Sequence, residues 1–342
     1  MKEITVLYYP KKLKRKYSDK FITKMQDVLV STQNTLQFIE TDDTKKEKVK
    51  RFVLSECKES IILLIGGEDT FPFEKNISHV DDGDSYVCTD NWWVSSGKDC
   101  VIPEIEISRM PDGKDGTENS FLEIIEKSFT KNKISVNEKI GITAEIWKSA
   151  ANDVFKHLQS QGDMLVSPPH TCKSRLNFEK FEGGLYFNLH GSEDEKGWYG
   201  QRDKFSSYKE EYPLAVIPEN ISKGIKNGFV LSEACYGAYI NNKKKDESIM
   251  LTALGNGISF CIGSTSTAYG TFTPPLSEAD LLVSIFYDEF LKNKNASLSF
   301  LNAKRIFAQK NIERNGFLDD DDKKTLVEFV MYGNPMVEVS NK

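Results

Sequence analysis

The sequence predicts an α/β protein built on a largely parallel sheet, and three observations carry that expectation. Residues 3–65 alternate short apolar strands with charged segments of helical periodicity, the βαβαβ pattern of a doubly wound sheet. Two later runs, Leu185–Leu189 and Phe229–Ser232, have the β-branched, aromatic and leucine content of buried parallel strands. Each leads into a reactive side chain and then a glycine: His190-Gly191 in one, Cys235-Tyr236-Gly237 in the other. The 342 residues are 39% hydrophobic and 28% charged, ordinary for a globular chain of one large domain or two.

Taken in order, Glu3–Tyr9 reads as a strand and Ser18–Ser31 as a helix, with Phe21, Ile22, Met25, Val28 and Leu29 at helical spacing. Leu36–Glu40 is a short strand. Asp43–Lys58 is a charged helix with Val49, Phe52, Val53 and Leu54 on one side, and Ile61–Ile65 is the third strand. A helix over Thr117–Lys131 leads to a polar connection near Val136. The boundary between an N-terminal α/β subdomain (1–134) and a second subdomain (135–342) is expected there. Lys139–Thr143 and Met164–Val166 read as strands around a helix over Lys148–Ser160. A helix over Ser248–Leu254, a strand over Gly257–Ile262 and helices over Leu276–Lys292 and Ser297–Asn311 follow. The acidic run Asp319–Asp322 suits a helix N-terminus, so a helix is expected over Thr325–Met331.

Several function classes fall away. A net charge of −6 with both signs interspersed gives no nucleic-acid footprint. No apolar run approaches the ~20 residues of a membrane helix, and Met1–Pro10 reads as a first strand rather than a signal peptide. Six cysteines (57, 88, 100, 172, 235 and 261) show neither a CxxC pair nor regular spacing. That argues against a zinc site or a disulfide framework and for a reducing cytoplasm. Gly66-Gly67 lacks the spacing of a phosphate loop. The stretch Asp81–Asn91, with Asp81, Asp82, Asp84 and Asp90, lacks the EF-hand glycine and reads as a solvated loop or as carboxylates lining a cleft. No cofactor or metal is called for.

In open α/β sheets the functional groups gather just beyond the carboxyl ends of the strands. His190 and Cys235 are both expected there, which supplies a thiol nucleophile and a base to take its proton. Alone, a cysteine at a strand end is most often a small buried hydrophobe, and a histidine a satisfied polar residue. Together, on two strands that each break at glycine, they favour catalysis. His170 follows Pro168-Pro169 and ends no strand, so His190 is the preferred base.

Phe187-Asn-Leu-His190-Gly191 and Ser232-Glu233-Ala-Cys235-Tyr-Gly237 resemble the His-Gly and Glu-Ala-Cys signatures of the caspase-fold cysteine peptidases, in their gingipain-like branch. Three more blocks agree in order. They are Ile61–Phe73, Pro103–Pro111 (with Ser108 where glycine is usual), and Gly257–Thr265 with Tyr332–Pro335. The resemblance implies a caspase-like three-layer α/β/α sandwich with a smaller N-terminal doubly wound subdomain. It also implies a cysteine endopeptidase acting through a thioester on a protein or peptide substrate.

On that resemblance Cys235 is the nucleophile, His190 the base and Glu104 the group that orients it. The backbone N–H groups of Gly191 and Cys235 form the oxyanion hole. Trp198 and Tyr199, in the long loop between the signature strands, and Glu233 and Ser264 at matched strand ends join Asp90, Asp112 and Asp115 as expected substrate-binding residues. Acidic groups near the matched segments favour Arg or Lys before the scissile bond, and Lys243-Lys244-Lys245 is then the expected self-cleavage site. An activating protein partner is left open. So is the alternative of a caspase-like scaffold that binds partners and cleaves only when activated.

Overall fold

A computed structural model describes residues 2–33, 35–158, 161–174, 176, 181–221, 225–292 and 294–340. Ten strands form the main sheet: β1 (Ile4–Tyr8), β2 (Leu36–Glu40), β3 (Ile61–Ile65), β4 (Glu106–Met110), β5 (Glu138–Ala144), β6 (Gln161–Ser167), β7 (Phe181–Asn188), β8 (Ile225–Ser232), β9 (Phe260–Ser264) and β10 (Phe329–Gly333). Their order across the sheet is β2-β1-β3-β4-β10-β9-β8-β7-β5-β6. The N-terminal strands pair in parallel, as do β6, β5, β7, β8 and β9, while β10 returns antiparallel to β9.

Side chains alternate between the faces of a strand, and both faces of this sheet are covered. Leu185 and Phe187 of β7 join Val230 of β8 beneath Ile249 and Met250. Tyr186, Phe229 and Leu231 point the other way, against Phe286 and Phe290 of the helix Glu278–Phe290. The N-terminal strands repeat the arrangement. Ile4, Val6, Ile61 and Leu63 meet Phe21, Met25 and Phe121, whereas Leu7, Ile62 and Leu64 meet Val49 and Val53. The result is helix, sheet and helix in three layers.

The end of the chain departs from the sequence reading. The helix there is Asp320–Glu328, with Asp319 as its cap accepting from the Asp322 N–H at 2.8 Å. Phe329–Gly333, expected to be helical in its first half, is strand β10 in the middle of the sheet. An apolar run buried on all sides carries no alternation to separate strand from helix. The helix expected over Lys148–Ser160 ends at His157, and its residues 159 and 160 lie outside the described residues.

Strand β10 joins the two halves of the sheet, with Tyr332 opposite Arg109 of β4. Arg109 is wholly buried there. Its Nε donates to Asp90 Oδ2 at 3.0 Å and its Nη1 to the Gly66 carbonyl at 2.7 Å, while its guanidinium lies 3.8 Å from the Phe73 ring centre. The pair ties β4 to the segments after β3 and before the Trp92-Trp93 turn. Removing one member leaves an uncompensated charge in the core, a cost of about 3–5 kcal/mol. Arg109→Met should therefore lower the unfolding free energy by roughly that amount in urea titration; an unchanged midpoint would contradict this role.

Candidate active site

The neighbouring strands β7 and β8 run in parallel register, Phe187 opposite Ser232, and both end at the same edge of the sheet. The Glu233 N–H extends the ladder by donating to the Phe187 carbonyl at 2.8 Å. His190 follows β7 by two residues and Cys235 follows β8 by three. The two turns touch: a Cβ placed on Gly191 would stand 2.1 Å from the Cys235 carbonyl oxygen. Only glycine permits that approach.

His190 is fixed by its own short bridge, exchanging backbone hydrogen bonds of 2.8 Å with Tyr199 in both directions. Its imidazole lies 4.4 Å from the Trp147 ring and 5.5 Å from the Tyr212 ring, centre to centre. Its Nε2 meets Gln201 Oε1 at 2.7 Å, and the Gln201 amide nitrogen donates to the Tyr212 hydroxyl at 3.3 Å. With an amide oxygen as acceptor, Nε2 carries the proton and Nδ1 keeps the lone pair a base needs. Burial lowers the imidazole's pKa, opposed by the Gln201 hydrogen bond.

Cys235 is half-buried, and its thiol donates to the Ala268 carbonyl at 3.5 Å. Burial pushes its pKa up to about 11. A raised thiol and a lowered imidazole make the resting pair neutral rather than an ion pair. The hydrogen bonds of the two side chains run to Ala268 and Gln201, not to each other. Tyr236, next in sequence, holds a left-handed backbone at φ +55°. Its N–H donates to the Ser266 carbonyl at 2.8 Å and its hydroxyl to Asp84. A non-glycine residue in this region is strained and persists only where its surroundings hold it.

Beside Cys235 a small cavity of about 30 Å³ is walled by Trp147, Leu189 and the segment Ala268–Thr271. Asn188, Glu233 and Asp280 also line it. The Asn188 amide donates to Glu233 Oε2 at 2.7 Å and to Asp280 Oδ1 at 3.2 Å, and the Thr271 N–H donates to Asp280 Oδ2 at 2.7 Å. Glu233 Oε1 is buried and faces no N–H donor; the proton that Glu233 retains bridges it to Asp280. Burial and the neighbouring Asp280 drive the Glu233 pKa well above the usual carboxylate range, and burial raises that of Asp280 to about 6. Neither carboxyl has a cation within salt-bridge reach among the described residues. A buried carboxyl pair without a cation is costly to hold in its charged form.

The other carboxylates expected in the pocket stand elsewhere, each already engaged. Asp90 is paired with Arg109. Asp112 accepts from Lys16 at 2.7 Å, from the Gly67 N–H at 2.6 Å and from Thr70 at 2.7 Å. Asp115 accepts from the Lys245 N–H at 3.1 Å. Asp82 and Asp84 flank the buried Lys324 ammonium, 2.7 Å from Asp84. Asp82 also accepts from the Tyr269 hydroxyl at 2.6 Å and Asp84 from the Thr267 N–H at 2.9 Å. The acidic loop is thus a clasp on the turns around Cys235 rather than a lining of the cleft.

Further expectations are corrected in the same way. Glu104 accepts from the Ser96 N–H at 2.7 Å, and the partner of His190 is Gln201 instead. Trp198 is a core residue, 5.2 Å from the Phe187 ring and behind Gly191. Tyr199 contributes its backbone to His190 and sends its hydroxyl to Glu195 at 3.2 Å. Ser264 is buried, donating to the Ser266 carbonyl at 2.9 Å. Of the residues expected to bind substrate, Glu233 lines the cavity beside Cys235; Asn188, Asp280, Trp147 and Thr271 line it too, from separate elements that form no motif.

No protein-family model matches this sequence, and no curated protein sequence does either. Among solved structures, gingipain R, an Arg-specific cysteine proteinase, superposes on 98% of this chain and 78% of its own, with a TM-score of 0.68 at 15% identity. The chain has a caspase-like fold. Separase, in the Saccharomyces cerevisiae separase–securin complex, is a slighter match: 69% of this chain, 14% of that one, 10% identity and a TM-score of 0.41. The caspase-like sheet accounts for where the site lies, at the carboxyl edge of β7 and β8; the roles of its residues rest on the geometry above.

Two expectations follow from the resting electrostatics. Alkylation of Cys235 by iodoacetamide should be slow at neutral pH and should accelerate with pH toward about 11, where the thiol ionises. A rate already at its plateau at pH 7 would mean a preformed thiolate. Gln201→Glu, which puts a carboxylate on Nε2, should raise the His190 pKa as followed by imidazole NMR. No shift would mean that Gln201 does not hold the ring.

Proposed function

We propose that this chain is a cysteine endopeptidase that cuts protein or peptide substrates after Lys or Arg. The observation that supports it above all others is the pair of buried carboxyls, Glu233 and Asp280, with no cation of their own, in the cavity that Cys235 also lines. A Lys ammonium or Arg guanidinium at P1, the residue before the scissile bond, supplies the missing charge. Asn188 and the Thr271 N–H hold the two carboxyls in place for it.

In this reading the Cys235 sulfur attacks the P1 carbonyl carbon as His190 Nδ1 takes the thiol proton. The oxyanion is held by the N–H groups of Gly191 and Cys235, donors typically worth ~10²–10³ in rate each. The imidazolium then gives its proton to the leaving amine, the thioester forms, and water hydrolyses it to restore the thiol. No hydrogen bond joins the two side chains at rest, so in this reading substrate draws them together.

A reducing compartment belongs to the same reading, since all six cysteines are free and Cys235 has to stay reduced. Self-cleavage at Lys243–Lys245 requires local opening. Lys243 and Lys245 lend backbone groups to Lys114 and Asp115, and residues Lys245–Glu247 form a single 3₁₀ turn.

Peptides with Lys or Arg at P1 should be cleaved, and those with Asp left intact. Cys235→Ala should abolish turnover while preserving the fold. Asp280→Asn or Glu233→Gln should cost roughly 10²-fold or more in kcat/KM for basic P1, the scale of truncating one partner of a buried charge pair. The sign of the pH effect follows from Asp280. Below about 6 it is protonated and has less to offer a cation, so KM for basic P1 should fall as pH rises through that value. Indifference to P1 charge, or a KM that rises over the same interval, would contradict the acidic pocket.

A further inference from the structure

One buried ammonium near the site has no part in the proposed chemistry. Lys324, on the helix Asp320–Glu328, is wholly buried, and its Nζ sits between the carboxylates of Asp82 and Asp84, 2.7 Å from the latter. Both acids stand in the turn of a hairpin whose strands are Glu74–Ile77 and Tyr86–Thr89. None of residues 81–85 joins the apolar core among the described residues, so what this turn brings to the molecule is its two carboxylates. Burial opposes their ionisation, but the hydrogen bonds from Lys324 and its neighbours outweigh it and hold both below the usual carboxylate range.

Each carboxylate also reaches one side of the site. Asp84 accepts from the Tyr236 hydroxyl and from the Thr267 N–H, the latter at 2.9 Å. Tyr236 follows Cys235 directly, in a left-handed conformation that only its surroundings hold. Thr267 precedes Ala268, whose carbonyl accepts from the thiol. Asp82 accepts from the Tyr269 hydroxyl at 2.6 Å. Tyr269 lines the carboxyl cavity, and its carbonyl accepts at 3.1 Å from the N–H of Ala279, one residue before Asp280. The nucleophile turn and the cavity wall thus hang on one ammonium.

We propose that Lys324 is a positioning residue that ties Cys235 to the P1 pocket; the inference rests on the peptidase reading. The Asp84 arm holds the thiol through Tyr236 and Thr267, and the Asp82 arm holds the cavity wall through Tyr269. Two carboxylates on one site repel each other, and the ammonium between them keeps both arms in place. Cleavage needs the P1 carbonyl carbon at the sulfur while the P1 side chain sits at the carboxyl pair. A misplacement of about 1 Å between the two costs on the order of 10²-fold in rate. The arms have separate signatures: loosening the first disturbs the chemical step, loosening the second the grip on P1.

The test compares the full chain with Tyr236→Phe and Tyr269→Phe, which keep both rings and each remove one hydroxyl; Lys324→Met itself leaves two buried carboxylates unpaired and can fail to fold. On a peptide with Lys at P1, Tyr236→Phe should lower kcat by about 10- to 100-fold with KM kept, the scale of one hydrogen bond to a charged group. Tyr269→Phe should raise KM over a similar range with kcat kept. Alkylation of Cys235 by iodoacetamide, which needs no turnover, should speed up in Tyr236→Phe and stay at the wild-type rate in Tyr269→Phe. Variants that lose thermal stability while kcat, KM and alkylation all hold, or that both move the same parameter, overturn the role of Lys324 and leave the peptidase reading standing. An alkylation rate unchanged in Tyr236→Phe overturns it as well. No cleavage by the wild-type chain overturns the peptidase reading and the tie to P1 with it.

Discussion

Strands β7 and β8 are locked in parallel with Phe187 opposite Ser232, and a one-residue slip would turn every side chain to the other face. Register is what places the His190 turn against the Cys235 turn. The contact between Gly191 and the Cys235 carbonyl admits no side chain, so the two loops have one way to meet. Burial enforces the register from both sides, through Leu185, Phe187 and Val230 on one face and Tyr186, Phe229 and Leu231 on the other. The same strands carry Asn188 and Glu233 to their ends, so the cavity beside the thiol is fixed by the pairing that fixes the thiol.

Charge then separates this cavity from the rest of the molecule. Asp82 and Asp84 share Lys324, Asp90 has Arg109 and Asp112 has Lys16. Those pairs build the fold, and the Lys324 clasp steadies Tyr236 and Tyr269 on either side of Cys235. Glu233 and Asp280 have the Asn188 amide between them and the Thr271 N–H on Asp280, but no cation among the described residues. A protein tolerates such a pair by keeping it largely protonated, at a cost in stability that a cationic ligand relieves. The buried Glu328, raised to about 8 by burial, ends the helix Asp320–Glu328 and accepts from Ser266, outside the cavity.

The strands of the N-terminal half were legible because short apolar runs alternate with charged helices: Leu36–Glu40 and Ile61–Ile65 stand at the residues the pattern marks. His190 and Cys235 were legible as strand-end side chains before glycines. Phe329–Gly333 was not, because a run buried on both faces has the same signature as a buried helical turn. Asp280 was not either. It lies in the first turn of an apolar helix, where an acid is expected for the helix dipole and gives no hint that it faces a cavity. Gln201 is a polar residue in a polar loop, and only the fold brings it 2.7 Å from His190. The acidic loop around Asp84 misled for the same reason: its partner, Lys324, comes 240 residues later.

In the proposed reaction the Cys235 thiol and the Glu233–Asp280 pair serve one substrate. The direct measurement is intact-protein and peptide mass spectrometry after exposure to two peptidyl acyloxymethyl ketones that differ only at P1, one with Lys and one with Asp. One adduct per chain is expected from the Lys probe, on Cys235 and none of the other five cysteines, and no adduct from the Asp probe. Equal labelling by both probes, or labelling at another cysteine, would contradict it.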